Sequence, residues 1–345
     1  MKIEVITTPN EELKETGFGK LIACNSFLNS IKKMGYDATL SICKTVGDLE
    51  EVVKRKPDLV ILAVKYVSIK NGDDIWLSDF FSKNEINFSG SSREVLKYDS
   101  DKVLAKSYLK TKGIKTANYF TAIPGQYKCE AELPIKYPLF LKPMDAANGN
   151  GIDDLSFVNN FQDFENKLKS LYELFNLPVL VEEYLDGQEY TVAVLKTRND
   201  KLLVSAVEIV PEQSTNGLRI LGAKAKKDDT EELKKTENSE LIKRVKKLAV
   251  DTYINLGIRD FGRIDIKTNK SGQCYFMEAN LLPGMTNGTS YFPRACEIEY
   301  ELSYDEVVQL IIEEGISRVP FTFLPNNILF EKPFNAAWSG GVVLA

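Results

Sequence analysis

Phe261-Gly262-Arg263-Ile264-Asp265-Ile266-Lys267 and, a short connection later, Cys274-Tyr275-Phe276-Met277-Glu278-Ala279-Asn280 form the stretch on which the fold turns. The two runs flank the turn formers Asn269-Lys270-Ser271-Gly272. That pattern predicts a β-hairpin. Side chains alternate between the faces of a strand. Arg263 and Asp265 therefore share one face of the first run, and Glu278 and Asn280 share one face of the second. With Thr268 paired to Gln273, Arg263 falls opposite Glu278, about 5 Å away, and Asp265 lies one diagonal step off, about 7–8 Å away. Two carboxylates and an amide oxygen on one face suit Mg2+, a hard cation that takes oxygen ligands and completes its shell with phosphate. Taken alone, such a hairpin is more often a solvated charged face, so its neighbours decide.

The loop Leu281-Leu282-Pro283-Gly284-Met285-Thr286-Asn287-Gly288-Thr289 leaves the second run directly. Small residues there let backbone N–H groups approach an anion, although a plain strand-to-helix turn reads the same way. Upstream, Leu139-Phe140-Leu141-Lys142-Pro143 predicts a strand, followed by the glycine-rich Ala146-Ala147-Asn148-Gly149-Asn150-Gly151. Further strands are expected at residues 155–158, 179–182, 189–195 and 202–209. Helices are expected at 161–174 and at 239–256, the latter stopped by Gly257. Asp99 or Ser100 is placed to cap a helix that runs to Lys112 and closes at Gly113. Lys102 then sits in the first turn, at the positive end of the helix dipole, where a lysine is locally unfavourable. In isolation that is a solvated surface lysine; the sharper reading is a lysine kept for an anionic ligand.

The first ninety or so residues alternate strand (3–7), helix (19–34) and strands (38–43, 59–64, 86–89). That order predicts a parallel sheet covered on both faces. A chain of 345 residues suits two or three modules. The net charge of −5 provides no global basic field for nucleic acid or an anionic membrane. The five cysteines are scattered and form no C-x-x-C pair, which points to a reducing compartment. The sequence contains no histidine, which excludes Ser-His-Asp and Cys-His nucleophilic sites and most zinc hydrolase sites. The opening MKIEVITTPN lacks the apolar core of a signal peptide, and the apolar run at 59–64 is too short for a membrane span. The expectation is a cytoplasmic enzyme working with Lys, Arg, Asp, Glu and Asn on phosphate and Mg2+.

Gly-Arg-Ile-Asp-Ile, Phe-Met-Glu-Ala-Asn and Leu-Pro-Gly-Met-Thr, in this order and spacing, resemble the carboxy-terminal signature of D-alanine-D-alanine ligases and related ATP-grasp enzymes. Tyr98-Asp99-Ser100-Asp101-Lys102, Phe140-Leu141-Lys142-Pro143 and Val181 through Val192 resemble earlier motifs of the same family, in the correct order. The match covers residues 90–318 well and residues 1–90 weakly. The resemblance implies an α/β (α+β) ATP-grasp fold of three subdomains with a Rossmann-like start. Its parts would be residues 1–93, 94–185 and 186–318, with an irregular tail at 319–345 where Pro320, Pro325 and Pro333 accumulate. It implies ATP and two Mg2+ ions, with Mn2+ an acceptable substitute. The partners would be a small carboxylate and an amine, with a homodimer an allowed arrangement.

By the same resemblance, Lys102 and Lys142 would contact phosphates, and the loop bearing Asn148, Gly149 and Gly151 would fold over them. Glu182, Glu183, Tyr184 and Leu185 would hold adenine, largely through backbone hydrogen bonds, and Glu189 the ribose. Lys224 would reach the terminal phosphate. Asp265, Glu278 and Asn280 would bind the metal ions, and Arg263 would stabilise a tetrahedral intermediate. Gly284, Phe18, Thr289 and Ser290 would line the acyl-substrate pocket. The sequence departs from the family on the substrate side. Phe18 stands where the family carries a glutamate for the first substrate's amine, Asn148-Gly149-Asn150-Gly151 replaces a serine-rich loop, and Ala225 replaces a tyrosine. The expectation is thus an acyl-phosphate ligase with an altered substrate. The alternatives are D-alanine-D-alanine ligase itself, a non-catalytic nucleotide-binding relative, and a ligase acting on a peptide terminus.

Overall fold

A computed structural model describes residues 1–13, 17–69, 72–145, 149–198, 200–214, 217–228 and 230–318. The expected tail at 319–345 and Asn148 lie outside these residues. The amino-terminal apolar runs form β1 (Lys2–Thr7), α1 (Leu21–Lys33), β2 (Asp37–Ile42), α2 (Val46–Arg55) and β3 (Leu59–Leu62). The sheet is parallel, in the order β2-β1-β3. A capping box starts α2: Thr45 accepts from Asp48 N, and the Asp48 carboxylate accepts from Thr45 N. The strand expected at 86–89 is only a single bridge from Phe88 to Val60. Arg259 takes the carbonyls of Phe88 and Gly90, and Arg318 also takes that of Phe88, which diverts this backbone from the sheet.

A short hairpin of β4 (Tyr66–Val67) and β5 (Ile75–Trp76) leads into α3 (Leu77–Lys83). The single helix expected from residue 99 or 100 is two: α4 (Arg93–Ser100) and α5 (Lys102–Thr111). Asp101, in extended conformation, separates them and caps α5 by accepting from Leu104 N at 2.8 Å. Asp99 does not cap a helix; it accepts from Leu281 N at 2.8 Å and pairs with Lys65 at 3.4 Å.

The second sheet comprises β6 (Tyr119–Ala122), β7 (Leu139–Pro143), β8 (Phe157–Val158) and β9 (Val179–Glu183). It is antiparallel, in the order β6-β9-β7-β8. Its apolar face rests on α6 (Phe161–Phe175), whose Phe164, Leu168 and Leu171 recur at helical spacing against Leu139, Leu141, Val179 and Val181.

The third sheet uses β10 (Glu189–Lys196), β11 (Leu202–Val210), β12 (Glu232–Lys234), β13 (Phe261–Thr268) and β14 (Cys274–Asn280), with α7 (Ala223–Asp228) and α8 (Ser239–Leu256) inserted. It is antiparallel, in the order β12-β11-β10-β13-β14. Alternation along β10 buries both faces. Tyr190, Val192 and Val194 meet Leu241, Val245 and Ala249 of α8. Ala193 and Leu195 join a core with Phe292 of α9 (Tyr291–Tyr300) and Ile311 of α10 (Tyr304–Ser317). That core continues into Ile3, Phe27 and Leu59, so the first and third sheets share apolar packing. Gly257 ends α8 at φ +72, as the sequence predicts.

Candidate active site

The hairpin forms, with a register different from the expected one. Thr268 pairs with Cys274 rather than Gln273, and the register shifts once more between Asp265 and Ile266. Met277 is the extra residue. This β-bulge sets Asp265 directly opposite Glu278 and Arg263 opposite Asn280, so the two carboxylates face each other rather than lying on a diagonal. Bulges kink a strand and re-aim its side chains; here Met277 and Glu278 both face the same cleft.

That cleft runs between the second and third sheets. From β7 and β9 come Phe140, Lys142, Glu182 and Glu183, followed by Tyr184 and Leu185. From the third sheet come Glu189, Asp265, Lys267, Met277 and Glu278. Lys102 and Lys106 enter from α5, while Gly149 and the segment Arg219-Ile220-Leu221 with Lys226 close it from above. Ten of the sequence-derived site residues therefore lie on one cleft: Lys102, Lys142, Gly149, Glu182, Glu183, Tyr184, Leu185, Glu189, Asp265 and Glu278.

Several expected residues are placed elsewhere. Lys224 is exposed, and its near neighbour Lys226 faces the cleft instead. Gly151, at φ +78, packs where a Cβ would meet Phe175 and Pro143, and does not line the cleft. Phe18 is 1% exposed and packs on Phe27 with ring centroids 5.0 Å apart. It also borders a separate hollow shared with Lys65, Tyr66 and Leu282. Ser290 accepts from Thr286 N at 2.8 Å and lies 2.8 Å from where a Gly284 Cβ would stand, so both shape the loop after β14. Thr289 is exposed on that loop.

The expected backbone grip of the 182–185 segment is largely committed within the protein. Glu183 N donates to Asn118 O at 2.9 Å, and Tyr184 N donates to Pro138 O at 3.0 Å. The Glu183 carboxylate accepts from Asn118 N at 2.8 Å. Glu182 points its side chain to the cleft floor and pairs with Lys106 and Lys142 at 2.7 and 2.6 Å. Burial alone would raise its pKa, but the two lysines overrule it and hold the carboxyl at about 2. Glu189 pairs with Lys267 at 3.1 Å.

The acidic face is strongly polarised. Arg263 donates through Nε and Nη2 to the two oxygens of Asp265, at 3.0 and 2.8 Å. Thr191 adds 2.8 Å to Oδ1, and Asn280 Nδ2 lies 3.2 Å from Oδ2. Burial pushes Asp265 up, Arg263 opposes this, and Glu278 pushes it up further. Glu278 is held well below the usual carboxylate range: burial would raise it, but Lys102, Lys226 and Lys142 prevail. Lys102 reaches Glu278 at 3.5 Å, which compensates its position at the positive end of α5.

Residues 108–313 match the family described as D-ala D-ala ligase C-terminus. The chain belongs to this ligase family. It is 28% identical over 300 residues to D-alanine-D-alanine ligase B of Clostridium perfringens, which covers 86% of this chain and 93% of that relative. The D-alanine-D-alanine ligase of Bacillus anthracis, solved in complex with ATP, superposes with a TM-score of 0.69 at 23% identity, covering 92% of this chain and 97% of that one. The VanG D-Ala:D-Ser ligase of Enterococcus faecalis superposes with a TM-score of 0.66 at 23% identity, over 91% and 99% of the two chains. The fold is therefore the ATP-grasp fold of these ligases, and the chain is an enzyme of the class that joins carbon to nitrogen. Among the described residues, no helix is long and apolar enough to cross a membrane.

Sequence reasoning missed four cationic members of the cleft, Lys106, Arg219, Lys226 and Lys267. Lys226 was one of three lysines in Lys224-Ala225-Lys226-Lys227, and a helix as short as α7 carries too little periodicity to choose among them. Lys106 follows Lys102 by four residues, a spacing that puts both on one helical face, and that signal was available.

Proposed function

We propose that this ligase uses ATP to activate a small carboxylic acid as an acyl phosphate and couples it to the amine of an amino-acid-like partner, with an acid other than D-alanine as its first substrate. The observation that carries the reading is the cleft itself. Lys102, Lys142 and Lys226 converge on it opposite Asp265 and Glu278, with Phe140, Tyr184 and Leu185 farther along. Lysines at one end suit a triphosphate, and the apolar surface at the other suits a purine.

The acidic face fits Mg2+. A buried Asp265 and a half-buried Glu278, directly opposed across a strand pair, repel each other unless cations offset them. Asn280 offers its amide oxygen beside them once its nitrogen is turned to Asp265. Among the described residues, no three Asp, Glu, Cys or His side chains gather around one point. Phosphate oxygens and water would complete the shell, as Mg2+ prefers. Asp265, Glu278 and Asn280 would hold the metal, which when bound would screen the charge of the transferring phosphoryl group.

The lysines neutralise and position the triphosphate while a substrate carboxylate oxygen attacks the γ-phosphorus and ADP leaves. The amine then attacks the acyl carbon, phosphate departs with the bonding pair, and the amine proton passes to solvent. Arg263 spends Nε and Nη2 on Asp265, which leaves Nη1 to serve the oxyanion of the tetrahedral intermediate. No histidine is required because phosphate is already a good leaving group.

The altered first substrate is supported by Phe18, an apolar core residue where the family resemblance places a carboxylate for an amine. D-alanine-D-alanine ligase activity is the competing reading, favoured by the names of the relatives. An ADP-release screen over D- and L-amino acids, singly and in pairs, decides between them. We expect the best pair to contain an acid other than D-alanine in the first position; D-alanine with itself as the best pair would establish the competitor. Asp265→Ala or Glu278→Ala should lower ATP turnover by about 10³-fold or more. Near-normal turnover in either would remove the metal assignment.

A further inference from the structure

We propose that Lys106 is a positioning residue for nucleotide phosphate: by occupying one oxygen of Glu182, it leaves Lys142 with charge to spare for the cleft. This rests on the ATP-binding reading above. Lys106 lies one helical turn beyond Lys102 on α5 and is 0% exposed. Its Nζ stands 2.7 Å from Glu182 Oε1, donates to Phe276 O at 3.3 Å, and sits 5.8 Å from the Phe276 ring centroid. Lys142 Nζ stands 2.6 Å from the other oxygen, Oε2. Three elements, α5, β7 and β9, thus bring two cations to one carboxylate, and the cluster keeps a net charge of +1.

The sign of that remainder is the point. A carboxylate enclosed with a single lysine forms a closed, neutral pair whose partners are costly to separate. A phosphate approaching Lys142 would then compete with Glu182 for the same N–H donors. With Lys106 on Oε1, Glu182 is already neutralised, and Lys142 serves the phosphate without stranding a buried anion. Lys106 itself is sealed by Glu182, Phe276 O and the Phe276 ring, so it acts through Glu182 and not by touching the nucleotide. A purely structural counterion would occupy the same place but would affect every ligand of the cleft alike.

The test uses the full chain and titrates ATP and adenosine into wild type, Lys106→Met, Glu182→Gln and the double variant, with thermal melts as a control for folding. We expect Lys106→Met to lower the ratio of ATP to adenosine affinity by about tenfold. The double variant removes one charge of each sign and returns the cluster to +1, so its ratio should lie within about threefold of wild type. An unchanged ratio in the single variant overturns the proposal. So does a double variant no better than the single, which would show that Lys106 does not act through Glu182. If Lys106→Met fails to fold, the double variant, which leaves no buried carboxylate short of a cation, carries the test, and a tenfold loss in its ratio counts against the proposal. A wild type that binds adenosine but not ATP would fell the triphosphate reading and this proposal together, whereas normal wild-type binding with an unchanged Lys106→Met fells this one alone.

Discussion

Asp265 and Glu278 were readable from the sequence because alternation assigns a strand residue to a face whatever the register. How the two meet was not, because a bulge is an extra residue whose position depends on cross-strand packing rather than on any local preference. Met277 fills that role without being a glycine or a proline that would advertise it. The same distinction applies to the lysines. Lys102 and Lys142 follow from a helix start and a strand end, both of which have local signals. Lys226 has none, since α7 spans only Ala223–Asp228 and two neighbouring lysines compete for the role. Its electrostatic reach is nonetheless plain: it acts on both Asp265 and Glu278. Lys226→Ala should therefore lower kcat/KM for ATP by about 10²-fold, the usual cost of losing one preorganised charge donor. Lys224→Ala, at an exposed position, should stay within about twofold of wild type. Steady-state kinetics of the two variants side by side checks this, and a reversed order would restore the lysine chosen from sequence.

Elements with strong periodicity and clean stops came through: α8 begins and ends at Ser239 and Leu256 as expected, and α6 and β7 through β11 lie within a residue or two, except that β8 is shortened by a preceding turn. The three-residue β12 and the helices α9 and α10 were not anticipated. α9 is masked by the proline and aromatic residues at its start, Tyr291-Phe292-Pro293. What no single element reveals is the contact between the turn after β7 and the segment before α7. Gly149, at φ +68, lies where a Cβ would come within 3.0 Å of Gly222 C, and a Cβ on Gly222 would come within 2.5 Å of Ile152 O. Ala223 N donates to Ile152 O at 3.1 Å, so backbone meets backbone over the cleft. Only glycine permits such an approach. Gly222→Ala should pry these two segments apart and misplace Lys226 with them. We expect kcat/KM for ATP to fall by about 10- to 100-fold, with a thermal midpoint close to wild type, because the contact lies outside the apolar cores. Unaltered kinetics would mean the two segments need not touch during turnover.

At the scale of the molecule, the sequence indicated a parallel first sheet and a later hairpin but not how they are joined, because the joining residues come from the far ends of the chain. Ile3, Phe27 and Leu59 share a core with Ala193, Phe292 and Ile311, and apolar periodicity does not name its partner. Beside that core lies a polar rivet. Asp260, 1% exposed, accepts from Arg318 at 2.6 and 2.9 Å and from Gly90 N at 2.7 Å. Arg259 meanwhile donates to the carbonyls of Phe88 and Gly90 at 2.9 and 2.6 Å. The start of β13 is thereby tied to the segment after β3 and to the end of α10. Removing the carboxylate leaves Arg318 with only the more distant Glu314, at 3.7 Å, and Gly90 N without its side-chain acceptor. Asp260→Ala should cost on the order of 3 kcal/mol of unfolding free energy, a typical loss when one partner of a buried ion pair is deleted. Because β13 also carries Arg263 and Asp265, the same change should lower turnover even where the protein remains folded. Urea unfolding followed together with ADP release separates the two effects. A stable variant with reduced turnover would show that the rivet sets the aim of the hairpin as well as the docking of the first sheet, whereas wild-type values in both would show that the shared apolar core suffices alone.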